Sequence, residues 1–164
     1  MKNYIVINGR EAELTKEQLK KLGIKIESSP FDRLDTGDIF YNIGSEGKLY
    51  RNCESKGVAL YDKYYETANY CTDKELMKQR MLHEILNRLL WRFACENGEL
   101  ENKWDDENQH YFIYYHISTD GLAVGSHITM KTSGIVYFSS IEIAEEAIKK
   151  IIKPFMKEHP DFVW

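Results

Sequence analysis

The chain has 164 residues, with 22 Lys and Arg against 26 Asp and Glu, and a formal net charge of -4. That length suits one domain with a real hydrophobic core and is short for two, and the acidic balance argues against broad nucleic-acid binding by phosphate neutralisation. Cys53, Cys71 and Cys95 are too scattered for a disulfide framework or a Cys-x-x-Cys knuckle, and no apolar run suits a signal peptide or a membrane span, so the expected setting is the cytoplasm, away from any membrane.

Asn3 to Ile7, Asn8-Gly9 and Arg10 to Leu14 carry a hairpin signal, because Asn-Gly tolerates the positive φ angles of a tight turn. Thr15 with Gln18 three residues on is a capping box, which opens a short helix through Leu22 for Gly23 to close. Residues 1–23 are therefore expected to form a small hairpin-helix module. Pro30 and the run Asp32-Arg33-Leu34-Asp35 mark 24–37 as a linker, and 38–164 as the main α+β domain.

Asp38 to Ile43 and Lys48 to Arg51 read as a second hairpin. Residues 52–70 are tyrosine-rich and weakly patterned, compatible with a short strand. A long helix is expected over about residues 73–96, opened by Thr72 and Glu75 as a capping box and free of Gly and Pro to Cys95. Leu82, Ile85, Leu86, Leu89 and Phe93 recur at the helical period as its core stripe. His110 to Ile117, Leu122 to Thr129 and Ile135 to Phe138 read as strands, with a turn near Asp120-Gly121. Ser139 with Glu142 caps a last helix that Pro154 limits. The expected fold is α+β: an antiparallel sheet with a long central helix and a C-terminal helix, preceded by the hairpin-helix module.

No residue pattern makes this chain an enzyme, and none asks for a cofactor. His83-Glu84 begins like a zinc-protease helix, but Asn87 stands where the second histidine must be. His110 and His116 share a strand face six residues apart, too far for one metal ion without a third element. Ser139 and Ser140 sit where caps belong and lack an identifiable base.

The informative irregularity is on the long helix. Met77, Met81, Glu84, Arg88, Trp91 and Cys95 form a second line, away from the core stripe. Methionines and a tryptophan on a nominally polar face point to a second packing contact. One reading has the 52–70 segment cover it; the other makes it a surface for a partner or for a homodimer. An acidic stretch follows, with Glu96, Glu99, Glu101, Asp105, Asp106 and Glu107 against Lys103 alone. The expected interface joins Met77, Met81, Arg88, Trp91 and Arg92 to Glu99, Glu101, Asp105 and Asp106, the acids steering a basic partner such as a nucleic-acid-binding protein. Arg80, Arg88 and Arg92 leave a second option, a nucleic-acid-associated accessory role; an unrecognised enzyme is a third.

Gly37-Asp38-Ile39-Phe40-Tyr41-Asn42-Ile43 with Gly47-Lys48-Leu49, the helix entry Asn69-Tyr70-Cys71-Thr72-Asp73-Lys74-Glu75, and Tyr111-Phe112-Ile113-Tyr114-Tyr115 with Gly134 to Ala144 together resemble small uncharacterised accessory proteins of Firmicutes phages and prophages. Tyr4 to Gly9 through Leu14-Thr15 and Leu19 resemble the leader that often precedes that body. The resemblance implies a phage-derived protein that binds and modulates a host component, including a defence system of the CRISPR type, and it brings no catalytic residues.

Overall fold

Short connections make three local antiparallel units before any long-range packing. The computed structural model describes residues 4–7, 10–23, 29–99, 103–104 and 107–164. In the first unit β1 (Tyr4–Ile7) pairs with β2 (Arg10–Glu13); the expected Asn8-Gly9 turn lies outside the described residues. α1 (Lys16–Lys21) opens on the expected capping box, in which Gln18 N–H donates to Thr15 Oγ1 at 3.2 Å and Thr15 N–H donates to Gln18 Oε1 at 2.8 Å. Gly23 follows at φ +68°, a conformation that costs glycine little.

The second unit pairs β3 (Ile39–Ile43) with β4 (Leu49–Cys53), in register from Ile39↔Cys53 to Ile43↔Leu49. Residues 59–66 then form a helix, α2 (Ala59–Glu66), where a short strand had been compatible with the sequence. Tyr61, Tyr64 and Tyr65 recur at the helical spacing, and the Tyr61 ring meets buried Phe40 edge-on at 5.0 Å while Tyr70 stacks on it at 4.2 Å. Tertiary packing on Phe40 overrides the strand preference of tyrosine.

The expected linker also needs correction. Residues 24–28 lie outside the described set, but the rest of the stretch belongs to the second unit. Thr72 N–H donates to the Pro30 carbonyl at 2.8 Å, Gly37 N–H to the Glu54 carbonyl at 2.9 Å, and the Arg33 guanidinium meets the Glu54 carboxylate at 2.7 Å. The charged run expected as a linker supplies a half-buried guanidinium that pairs with the buried Glu54 carboxylate.

α3 (Lys74–Glu96) is the long helix. Its cap is Asp73, whose carboxylate accepts from Leu76 N–H at 3.0 Å, rather than Thr72, whose amide is committed to Pro30. Leu82 and Leu86 are buried as expected, and the stripe continues through Leu90 and Ala94, leaving Ile85, Leu89 and Phe93 as half-buried flanks. The true axis is turned slightly from the expected one, toward the core residues Phe138, Ala144 and Ala147 that cluster with Leu90.

The third unit is a sheet of order β6-β5-β7, built from β5 (His110–His116), β6 (Gly121–His127) and β7 (Tyr137–Phe138). Tyr111 and Ile113 face the helices, and Phe112, Tyr114 and His116 lie on the other side. α4 (Ile141–Ala147) is capped by Ser140, not Ser139; the Ser139 hydroxyl instead donates to the Asn97 carbonyl at 3.0 Å and ties α3 to α4. Pro154 does not end the helix. A π-helical turn over Ile148–Ile152, closed by the Lys153 N–H on the Ile148 carbonyl, carries the chain into α5 (Lys153–Glu158). The wider turn keeps the carbonyls clear of a ring that would clash in an α-helical one.

The fold is α+β. Its main core joins Leu82, Leu86, Leu90 and Ala94 to Phe138, Ala144, Ala147, Ile152, Phe155 and Phe162, and a smaller cluster holds Ile43, Cys71 and Met77. The second hairpin does not extend the β6-β5-β7 sheet, because Tyr41 and Cys71 exchange backbone hydrogen bonds of 2.7 and 3.0 Å at its open edge.

Candidate functional site

The helical period sets Arg80, Glu84, Asn87, Arg88 and Trp91 along one side of α3. Glu84 accepts from Arg80 Nε at 3.0 Å and from Arg88 at 3.5 Å, so one carboxylate holds two guanidinium groups. Arg80 also donates to the Ala68 carbonyl, at a residue with φ +54°, and is fixed to the end of the α2 loop. Arg88 has more freedom, its side chain 59% exposed. Trp91, one turn on, is 62% exposed. Asn87 Nδ2 donates to the Gly134 carbonyl at 3.3 Å and ties this side of α3 to the loop before β7.

Three depressions run along this side. A polar cleft of about 500 Å³ lies between Arg80, Glu84 and Arg88 and a wall that includes Ser45, Tyr64 and Asn69. A shallower one is lined by Glu84, Asn87, Arg88 and Trp91. The third, about 260 Å³, is mainly apolar and lies between α3 and β7, with His83, Leu86, Asn87, Leu90, Ile113, Val136, Phe138 and Trp164 among its walls. Shared residues, Glu84 and Arg88 for the first two and Asn87 for the last two, make the band continuous.

The C-terminal tail supplies the last wall. Lys78 bonds the Asp161 carboxylate, Gln79 Nε2 donates to the Asp161 carbonyl at 2.6 Å, and Val163 N–H donates to Gln79 Oε1 at 3.0 Å. The Phe162 ring lies 4.7 Å from that of His83. These contacts lay residues 159–164 along α3 and bring Trp164 to the apolar cleft. The Lys78 ammonium holds the Asp161 carboxyl below the usual aspartate range and is itself raised by the same bond.

The expected interface divides. Arg88, Trp91 and Arg92 are exposed together. Met77 is not on a surface: at 1% exposure it packs with Ile43 and Cys71, so the N-terminal half of the second line is covered by the β3-β4 hairpin. Met81 is half-buried and packs against both core clusters. Glu99 turns inward, its carboxylate 3.6 Å from Nδ1 of buried His110, and leaves the acidic contact surface. Glu101, Asp105 and Asp106 lie outside the described residues. His83, Asn87 and Trp164 were missed. Asn87 and His83 could have been found from the Glu84-Arg88-Trp91 phase, whereas Trp164 reaches the site only through the tail contacts.

A second polar cluster lies apart from this band. The Glu54 side chain is 1% exposed; one oxygen accepts from Arg33 at 2.7 Å and the other from the Tyr70 hydroxyl at 2.6 Å. Asp62 adds a second carboxylate 3.0 Å from Arg33. Burial and the Glu54 bond push the Tyr70 phenol upward, so it stays a donor. These groups satisfy one another and line none of the three depressions. Among the described residues no group of three or more His, Cys, Asp and Glu is placed to hold a metal ion, and no helix is long and apolar enough to cross a membrane. Comparison with protein-family models, with curated proteins and with solved structures finds no match to this chain.

Proposed function

We propose that this chain is a binding protein that engages a partner protein through the open side of α3 around Trp91 and Arg88. The observation that carries the reading is the exposure of Trp91, 62%, beside an equally open Arg88 on a helix braced at both ends by other elements. A tryptophan in that position keeps a large apolar surface in water, and its rigid mounting lowers the entropy lost on binding. Following the resemblance to phage and prophage accessory proteins, the partner is a host protein, a defence component among the candidates, and binding modulates its activity. Among the acids named for this surface, Glu99 has a smaller part than the sequence suggested, since it is engaged with His110.

The test compares the chain with its Trp91→Ala variant in capture from Firmicutes lysates, followed by assay of the captured protein's activity. Because Trp91 is mostly in solvent, the variant is expected to keep its folding stability within about 0.5 kcal/mol while losing the captured protein and the effect on it. Identical capture by both would end the proposal. A nucleic-acid role through Arg80, Arg88 and Arg92 would show itself instead as binding that weakens steeply with salt.

A further inference from the structure

We infer that the segment this face takes is acidic and carries one bulky apolar side chain, which enters the cleft between α3 and β7. The inference rests on the reading of α3 as a binding face and adds the chemistry of what binds there.

Charge comes first. Of the four charged side chains from Arg80 to Arg92 on this side, three are arginines, and the single acid, Glu84, is already shared by Arg80 and Arg88. Arg80 is further committed to the Ala68 carbonyl. Arg88 has only the long contact of 3.5 Å with Glu84 and turns the rest of its donors outward. Arg92, one turn on, is exposed and forms no ion pair among the described residues, with Glu96 as the nearest acid along the helix. A carboxylate facing Arg88 and Arg92 gains charge-assisted bonds without displacing a strong internal one. A basic segment would meet the exposed guanidinium groups of Arg88 and Arg92.

The apolar cleft specifies the rest. Leu86, Leu90, Ile113, Val136, Phe138 and Trp164 supply its apolar walls, and its volume of about 260 Å³ suits one side chain, falling short of the roughly 300–1,000 Å³ of ordinary small-molecule sites. Asn87 borders both this cleft and the Arg88-Trp91 depression, so an anchor seated in one leaves flanking residues at the other. The same apolar socket argues against single-stranded nucleic acid, whose bases stack on open rings along a basic groove.

The three tryptophans, Trp91, Trp104 and Trp164, give a built-in readout. Two border the band, and Trp104 is stacked on His110 at 3.6 Å outside it. The probe is a synthetic hexapeptide with one phenylalanine and four carboxylates, titrated to about 5 mM, because a single short anchor gives millimolar affinity. The indole N–H resonances, assigned with single Trp→Phe variants, are followed by NMR. The expected result is a saturable shift of the Trp91 and Trp164 signals with Trp104 unmoved. Replacing the phenylalanine by glycine should weaken binding about tenfold or more. Replacing the carboxylates by amides, or making Arg88→Gln with Arg92→Gln, should weaken it about fivefold.

Absence of a saturable shift overturns the inference, and so does equal binding by the glycine or amide peptide. Tighter binding of oligothymidine to the same indoles overturns it in favour of nucleic acid. Concentration-dependent shifts without peptide overturn it in favour of a second copy of this chain. If Trp91→Ala abolishes lysate capture but the peptide moves neither indole, the binding face stands and this inference falls. If Trp91→Ala leaves capture unchanged, both fall.

Discussion

Arg33 shows how much one side chain can carry. It bonds Glu54 at 2.7 Å and Asp62 at 3.0 Å, and its guanidinium lies 5.5 Å from the ring centres of both Tyr65 and Tyr70. Arg33→Ala leaves the buried Glu54 carboxylate with the Tyr70 hydroxyl as its remaining side-chain donor, and breaking a buried pair from one side costs about 3 kcal/mol. Chemical denaturation should show that loss, and a change below about 1 kcal/mol would mean that water relieves the charge. Arg33→Lys should recover only part, since one ammonium cannot span two carboxylates and two rings. Single-residue roles of this kind were the least legible in the sequence. Asp32-Arg33-Leu34-Asp35 has the composition of a solvated linker, and only the return of Glu54 and Tyr70 to the same place, 21 and 37 positions on, makes it a core element. The position of Trp91 was legible, because its phase sets it off the leucine stripe, and the residue is 62% exposed. Met77 followed the same logic to a different end, covered by Ile43 and Cys71 rather than left open.

At the scale of elements, α3 organises the molecule. Its leucine stripe meets the main core, its first turns meet the β3-β4 hairpin, and its far side is the open band. Leu86 is buried in the main core, and Leu86→Ala should cost about 2–5 kcal/mol through lost burial and a cavity. Denaturant unfolding measures it, and a cost near zero would contradict the placement of α3. This helix was readable because its period persists for 23 residues without Gly or Pro. Capping boxes were less dependable guides. Thr15-Gln18 forms as written, whereas at α3 and α4 the cap lies one residue later, where Thr72 and Ser139 are drawn to Pro30 and Asn97. Those partners are remote in sequence, so local pattern could not rank Thr72 against Asp73 or Ser139 against Ser140. α2 was hidden for a related reason, its Tyr61 packing on Phe40, remote in sequence, and its Tyr65 on Tyr70, outside the helix.

At the scale of the whole molecule, the tail contact ties together residues more than eighty apart in sequence, bringing Asp161 and Val163 to Lys78 and Gln79. Its dependence on pH has a definite sign. The Asp161 carboxyl is lowered in the folded chain, so its contribution is full above the unfolded aspartate value and is lost as pH falls through the lowered folded one. The Lys78 ammonium is raised, so its contribution is full below the unfolded lysine value and is lost as pH rises through the raised folded one. The Lys78–Asp161 contribution to closure should be full between those limits and smaller beyond each, with the Gln79 bonds and buried Phe162 still holding the tail. Trp164 emission should report both transitions, and Asp161→Asn should abolish the acid one without unfolding the core.

Closure of the tail also decides how much of the protein is ready to bind at any moment. Trp164 walls the apolar cleft only while residues 159–164 lie along α3. An apparent dissociation constant is the intrinsic one divided by the fraction of molecules in the competent state, so a tail closed half of the time would double it. A partner should therefore bind with a plateau at intermediate pH and weaken on either side. The tail's share of that profile would belong to Lys78 and Asp161, two groups that need never touch what is bound, and Asp161→Asn separates it from protonation of the partner's own carboxylates.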